Sequence, residues 1–186
     1  MTASTKSGLD SRFAEALQGE DELGVVVRGH IHIESKLNTY IATVVPHPKE
    51  LPNLRYYQKI ELACAMGLSL VHAPLLKAVG DVRNAFAHNP EAQITSQSAA
   101  KLRGVFSAIH REAADVVVDA LRKSGAELSG RTFGSLSPRD QFTVVAIQLN
   151  GMLDAAITQA RQSQDTPRRR KEQLFSTLDS FVKRLT

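Results

Sequence analysis

Leu75-Leu76-Lys77-Ala78-Val79-Gly80-Asp81-Val82-Arg83-Asn84-Ala85-Phe86-Ala87-His88-Asn89-Pro90 is the stretch on which the fold turns. Leu75, Leu76, Val79, Val82 and Phe86 recur at three- and four-residue steps, the spacing of one buried helix face. Pro90 biases Asn89 away from the helical region, so the helix is predicted to stop just before it. This leaves His88 at the helix C-terminus, where the partial negative charge of the macrodipole favours an imidazolium. Arg83, just over a turn earlier, brings a permanent cation with a planar fork of donors. Together they make a candidate anion-handling, proton-transferring site. The spacing alone is weak, because Arg83 can pair with Asp81 or Glu34 and His88 can merely cap the helix.

The same periodicity recurs on either side. Leu9, Phe13, Ala16 and Leu17 predict a short first helix ended by Gly19. Leu23, Val27, Ile31, Leu37, Tyr40, Ile41 and Val44 predict a long helix over 22–45, with Asp21 as its cap. Val25-Val26-Val27, Gly24, Gly29 and the alternating Ile31-His32-Ile33 pull the other way. The length of the run and the lack of a hairpin partner decide for helix. Pro46, Pro48 and Pro52 make 46–53 a rigid loop. Leu54 to Met66 is predicted helical, with Gly67 as C-cap. After a loop at 89–95, one long helix is expected from Ser96 or Ser98 to Lys123. Gly125, Gly130 and Gly134 mark a loop. Ser137-Pro138-Arg139-Asp140 is a strong start signal, with Ser as N-cap, Pro at N1 and an acid at N3. Thr166-Pro167 reads as the start of a last helix. The expected architecture is all-α: an antiparallel helical bundle over 9–124, and a C-terminal helical hairpin over 125–186 packing on it.

Composition narrows the function classes. The chain has 186 residues, 42% of them hydrophobic but only 5% aromatic, and no Trp, so the core must be mostly aliphatic, as packed helices prefer. A net charge of +4 permits nucleic-acid binding without demanding it. Cys64 is alone, which excludes an internal disulfide and a cysteine-rich zinc site. It sits in an apolar run and is expected to be a small buried hydrophobe. No apolar run approaches the ~20 residues of a membrane span, and the first residues lack the apolar region of a signal peptide. A soluble, cytoplasmic protein is expected.

Arg-Asn-x-Phe-Ala-His at the end of a helix (Arg83, Asn84, Phe86, Ala87, His88) resembles the signature of the HEPN superfamily. The upstream run from Gln58 to Leu68, the short gap, and Leu76 onward are similar to that superfamily's mannitol-operon-repressor-like branch. Arg28-Gly29 and Ile33-Glu34-Ser35-Lys36-Leu37 resemble the branch's long helix more loosely. An acidic residue often precedes the Arg-Gly there, and Val27 stands in its place here. The resemblance covers roughly 20–110 and implies a homodimer whose Arg and His line a cleft near the two-fold axis. It implies either a metal-independent ribonuclease of toxin or defence type, with RNA as substrate and an antitoxin or regulatory protein as a further partner, or a non-catalytic regulator or binding module. No cofactor and no metal are implied.

The residues suit RNA cleavage. His88 can serve as base or acid, the common roles of an imidazole side chain. Arg83 can hold a phosphate bidentately and offset charge developing at phosphorus. Asn84 can contact phosphate or orient His88, one turn on. On a regular helix, however, Arg83 and His88 point about 140° apart. Either the last turn is distorted or a second subunit completes the site.

Two further clusters stand out. His30, His32 and Glu34 hold too few convergent ligands for a metal and predict a surface ion pair between His30 and Glu34. Arg168-Arg169-Arg170-Lys171 places cations in an expected first turn, against the macrodipole, and is a candidate nucleic-acid contact; the plainer reading is a solvated helix start. His47, His72 and His110 carry no signal in sequence.

Overall fold

The computed structural model describes the backbone of residues 11–89 and 91–185, and side chains within 12–163. Among these residues there are seven α-helices and no strand: α1 Ser11–Gln18, α2 Glu22–Val44, α3 Tyr56–Ala65, α4 Ala73–His88, α5 Ser96–Gly104, α6 Ala108–Lys123 and α7 Pro138–Leu185. They pack as an all-α bundle around one aliphatic core that runs from Phe13 on α1 to Ile157 on α7.

The β-branched run at 25–27 is helical. Asp21 caps α2 by accepting from the Gly24 N–H at 2.7 Å, and Val25, Val26, Ile33, Leu37 and Tyr40 are buried along one side. Gly29 does not break the helix. A Cβ there would lie 3.2 Å from both Ala146 Cβ and Phe142 Cε1 of α7, so the glycine lets the two longest helices approach closely.

The chain's path sets the directions. Gly29 meets Phe142 and Ala146, and Lys36 bonds Asp154 at 2.5 Å, so α2 and α7 run parallel. The antiparallel arrangement expected from the sequence does not extend to this central pair. The Pro-rich loop after α2 carries the chain back along that helix, so α3 starts level with His30 and also runs parallel to α2. α4 then returns antiparallel to both, with Tyr57 bonding Asp81 and Glu61 pairing with Lys77.

Local signals end the elements. Gly67, at φ 106°, closes α3 with a Leu68 N–H to Ala63 C=O bond. Asn89 is extended (φ −144°, ψ 105°), as a residue before proline should be, and α4 stops at His88. Cys64, expected to be buried, is only partly covered, packed at the edge of the core.

Two further expectations, both about helix boundaries, are corrected. The single helix expected over 96–123 is two: α5 ends at Gly104, Phe106 turns inward, and Ser107 starts α6. The Ser107 N–H donates to His110 Nδ1 at 3.2 Å, so the histidine three residues on supplies the new start. The C-terminal hairpin is instead one continuous helix, α7, passing through residue 167. No glycine lies between Gly151 and Thr166-Pro167 to reverse the chain, and Ala160, Arg161, Gln162 and Gln164 are good helix formers. Ser137 starts α7 as expected, its Oγ accepting from the Asp140 N–H at 3.1 Å. Residues 140–150 are all buried, so this helix is surrounded on every side in its first turns.

Candidate functional site between α2, α3 and α4

Arg83 is exposed on α4, and its described side-chain partner is Asn84 Oδ1 at 3.4 Å. Both carboxylates that the sequence offers it are occupied elsewhere. Asp81 accepts from the Tyr57 hydroxyl at 2.7 Å. Glu34 pairs with Lys59 at 2.7 Å. Among the described residues Arg83 therefore has no carboxylate within ion-pair distance, which leaves its fork of donors available to an anion.

Three helices hold this arrangement. Asn84 Nδ2 lies 3.5 Å from the Tyr57 oxygen, at the limit of a hydrogen bond. Burial, and then the Asp81 carboxylate, push the Tyr57 phenol up to about 12, so it keeps its proton and donates. Tyr56 donates to the Leu76 carbonyl at 3.0 Å, and burial holds its phenol far above the ordinary range. Gly80 makes room for it: a Cβ there would lie 2.8 Å from Tyr56 Cε1. A glycine inside a helix is the one signal in the sequence that another group approaches at that point.

The His30–Glu34 pair expected from the sequence is present, but its histidine is buried and not on the surface. His30 is only 6% exposed. Its ring rests on Tyr56 with centroids 4.3 Å apart, and Nδ1 stands 3.8 Å from Glu34 Oε2. Burial holds the imidazole below its ordinary value; Glu34 opposes this, while Arg83 and Lys59 add to it. A pocket of about 210 Å³ opens here, lined by His30, Glu34 and Arg83 together with the apolar Leu23, Val27, Ile31, Phe86 and Ala87. His32 faces elsewhere, its ring tilted 31° against that of Phe13 with centroids 4.3 Å apart.

His88 is exposed at the last residue of α4 and does not line that pocket. Because α4 is helical up to His88, the five-residue spacing keeps the two side chains well apart around the axis. The fold joins Arg83 to Asn84, Tyr57 and His30; it does not bring His88 to Arg83 within one chain. On the α2 side of the pocket, Leu23 (42% exposed), Val27 (38%) and Ile31 (57%) form an exposed apolar row that reaches its rim. Arg28 is committed to Glu20 at 2.6 Å.

The side chains of Arg168, Arg169, Arg170 and Lys171 lie outside the described residues. His72 and His110, which carry no signal in sequence, meet across 38 residues at 3.0 Å. No helix among the described residues is long and apolar enough to cross a membrane. Comparison with known proteins finds no matching family model, no matching curated protein and no matching solved structure.

Proposed function

We propose that this chain is a cytoplasmic, metal-independent endoribonuclease of the HEPN type, acting as a homodimer in a toxin or defence role. The observation that carries the reading is the Arg83 guanidinium, which among the described residues has no carboxylate partner; it lies beside Asn84 in the lining of a pocket while Lys59 and Tyr57 occupy the nearby carboxylates. A permanent cation kept free of its acidic neighbours is what phosphodiester binding requires. In the reaction, the ribose O2′ attacks phosphorus and the bond to O5′ breaks. Arg83 stabilises the charge gained by the phosphoryl oxygens, and Asn84 hydrogen-bonds one of them. His88 supplies proton transfer from the partner subunit, since it diverges from Arg83 on its own helix. The apolar row Leu23, Val27 and Ile31 adjoins the site and suits a self-complementary contact.

The test is cleavage of single-stranded and structured RNA by the purified chain in excess chelator. Cleavage abolished in both Arg83→Ala and His88→Ala, with the dimer mass unchanged, is the expected result. Retention of nucleic acid without any cleavage would favour a non-catalytic regulator or binding module.

A further inference from the structure

We propose that His30 is a further catalytic residue of this site, contacting the RNA at the reacting phosphodiester and taking the proton of the attacking 2′-hydroxyl. The inference rests on the ribonuclease reading and assigns a role within it. His30 is the imidazole that shares a pocket with Arg83; His88 does not line it. Its ring is fixed by Tyr56, which Gly80 admits and the Leu76 carbonyl anchors. Such support from neighbouring groups is what a precisely placed base needs.

The charges around the ring fit an anion. His30 faces Glu34 from its own helix, Lys59 and Tyr56 from α3, and Arg83 from α4. Lys59 offsets Glu34 by direct pairing, so Arg83 leaves the pocket one positive charge in excess. Glu34 lies on the Nδ1 side and favours the proton there, which makes Nε2 the accepting nitrogen. Burial also keeps the ring neutral, the form a base must have. Phe86 and Ala87 offer an apolar wall of the kind a ribose or base can lie against.

The step balances without an added reactant. The proton of the 2′-hydroxyl passes to His30, the O2′–P bond forms, and the P–O5′ bond breaks. O5′ takes a proton from His88 of the partner subunit. The products are a 2′,3′-cyclic phosphate and a 5′-hydroxyl; His30 then gives its proton to water and His88 takes one back from water, so both return to their starting forms. This divides the two proton transfers between two histidines and makes His88 the acid.

The experiment uses the full chain with isotope-labelled histidine and a short 2′-O-methyl oligoribonucleotide, which binds but cannot cyclise. The His30 ring resonance, assigned by its loss in His30→Gln, is expected to move on titration, and Arg83→Ala is expected to weaken that titration at least tenfold. A His30 resonance that stays put at saturation overturns the proposal, as does the absence of binding. In cleavage assays, His30→Gln should lose at least a hundredfold in kcat/KM. If wild type cleaves, Arg83→Ala does not, and a folded His30→Gln cleaves normally, only the His30 assignment falls. A wild type that cleaves no RNA removes the ribonuclease reading and this assignment together. Glu34→Gln keeps the imidazole and covers the case in which His30→Gln does not fold. Without the carboxylate the ring binds its proton less well, so the acid limb of the pH–rate profile should move to lower pH. An unmoved limb overturns the assignment.

Discussion

Lys59 Nζ lies 2.7 Å from Glu34 Oε1, and this pair keeps Arg83 free. Glu34 and Arg83 line the same pocket, so removing the lysine leaves the carboxylate to compete with RNA phosphate for the guanidinium. Lys59→Met should weaken binding of a 2′-O-methyl oligoribonucleotide about tenfold and flatten its salt dependence by about one phosphate contact. Fluorescence anisotropy at several salt concentrations measures both. Equal affinity in Lys59→Met and wild type would mean that Glu34 does not reach Arg83.

A composite site predicts complementation. Arg83→Ala and His88→Ala should each cut RNA cleavage at least about a hundredfold. Both side chains are exposed, so stability should stay within about 0.5 kcal/mol. When the two inactive variants are mixed and allowed to exchange, half the dimers are mixed and one of their two sites is intact. About a quarter of wild-type activity should return, as two-fold symmetry requires. No recovery after confirmed exchange would place the Arg and His of one site on the same chain.

The apolar row on α2 predicts where the subunits meet. Leu23, Val27 and Ile31 are exposed at successive turns. The Val27→Asp, Ile31→Asp pair places two charges in the proposed interface and should halve the mass seen by light scattering, with helicity by circular dichroism retained. A wild-type chain that runs as a monomer at micromolar concentration would refute the interface outright.

Two glycines should respond to alanine with opposite sign. At Gly80 a Cβ would lie 2.8 Å from Tyr56 Cε1 on a ring anchored at its hydroxyl. Overpacking there should cost about 1–3 kcal/mol, against a helix-propensity gain of about 1 kcal/mol. Gly80→Ala is therefore expected to lower the urea midpoint. Gly151 sits in α7, where an added methyl group would meet nothing within 4 Å, so Gly151→Ala should raise stability by roughly 0.5–1 kcal/mol.

The His72–His110 pair makes stability depend on acid. The Ser107 N–H donates to His110 Nδ1, so the His110 proton is on Nε2 and points to His72 Nδ1 at 3.0 Å. Both rings must be neutral for this chain of bonds. Burial, and then His72, hold His110 down to about 4; burial lowers His72 as well. A folded value below the unfolded value of about 6.5 means that the unfolded chain binds more protons between the two. The stabilisation is therefore complete above about pH 6.5 and is lost as pH falls toward 4, by on the order of 3 kcal/mol for His110. Urea unfolding at pH 7 and pH 4.5 should show this loss in wild type. His110→Phe should show a smaller one.

The sequence by itself determined that the chain is helical and where most helices begin and end. Those features depend on neighbours a few residues apart: the apolar period in α2, the Asp21 and Ser137 caps, and the proline after Asn89. It also marked Arg83, Asn84 and His88, because a short motif is local in the same sense. Tertiary structure alone decided that α2 and α7 run parallel, that Gly29 and Gly80 are contact points, and that His72 meets His110. It also decided that Glu34 belongs to Lys59, that Asp81 belongs to Tyr57, and that His30 shares the pocket of Arg83. Each of these joins residues 24 to more than 100 positions apart. Periodicity shows which face of a helix is buried but not which helix covers it. Partner choice depends on the path of the loops and on close packing, and neither is written in any one segment.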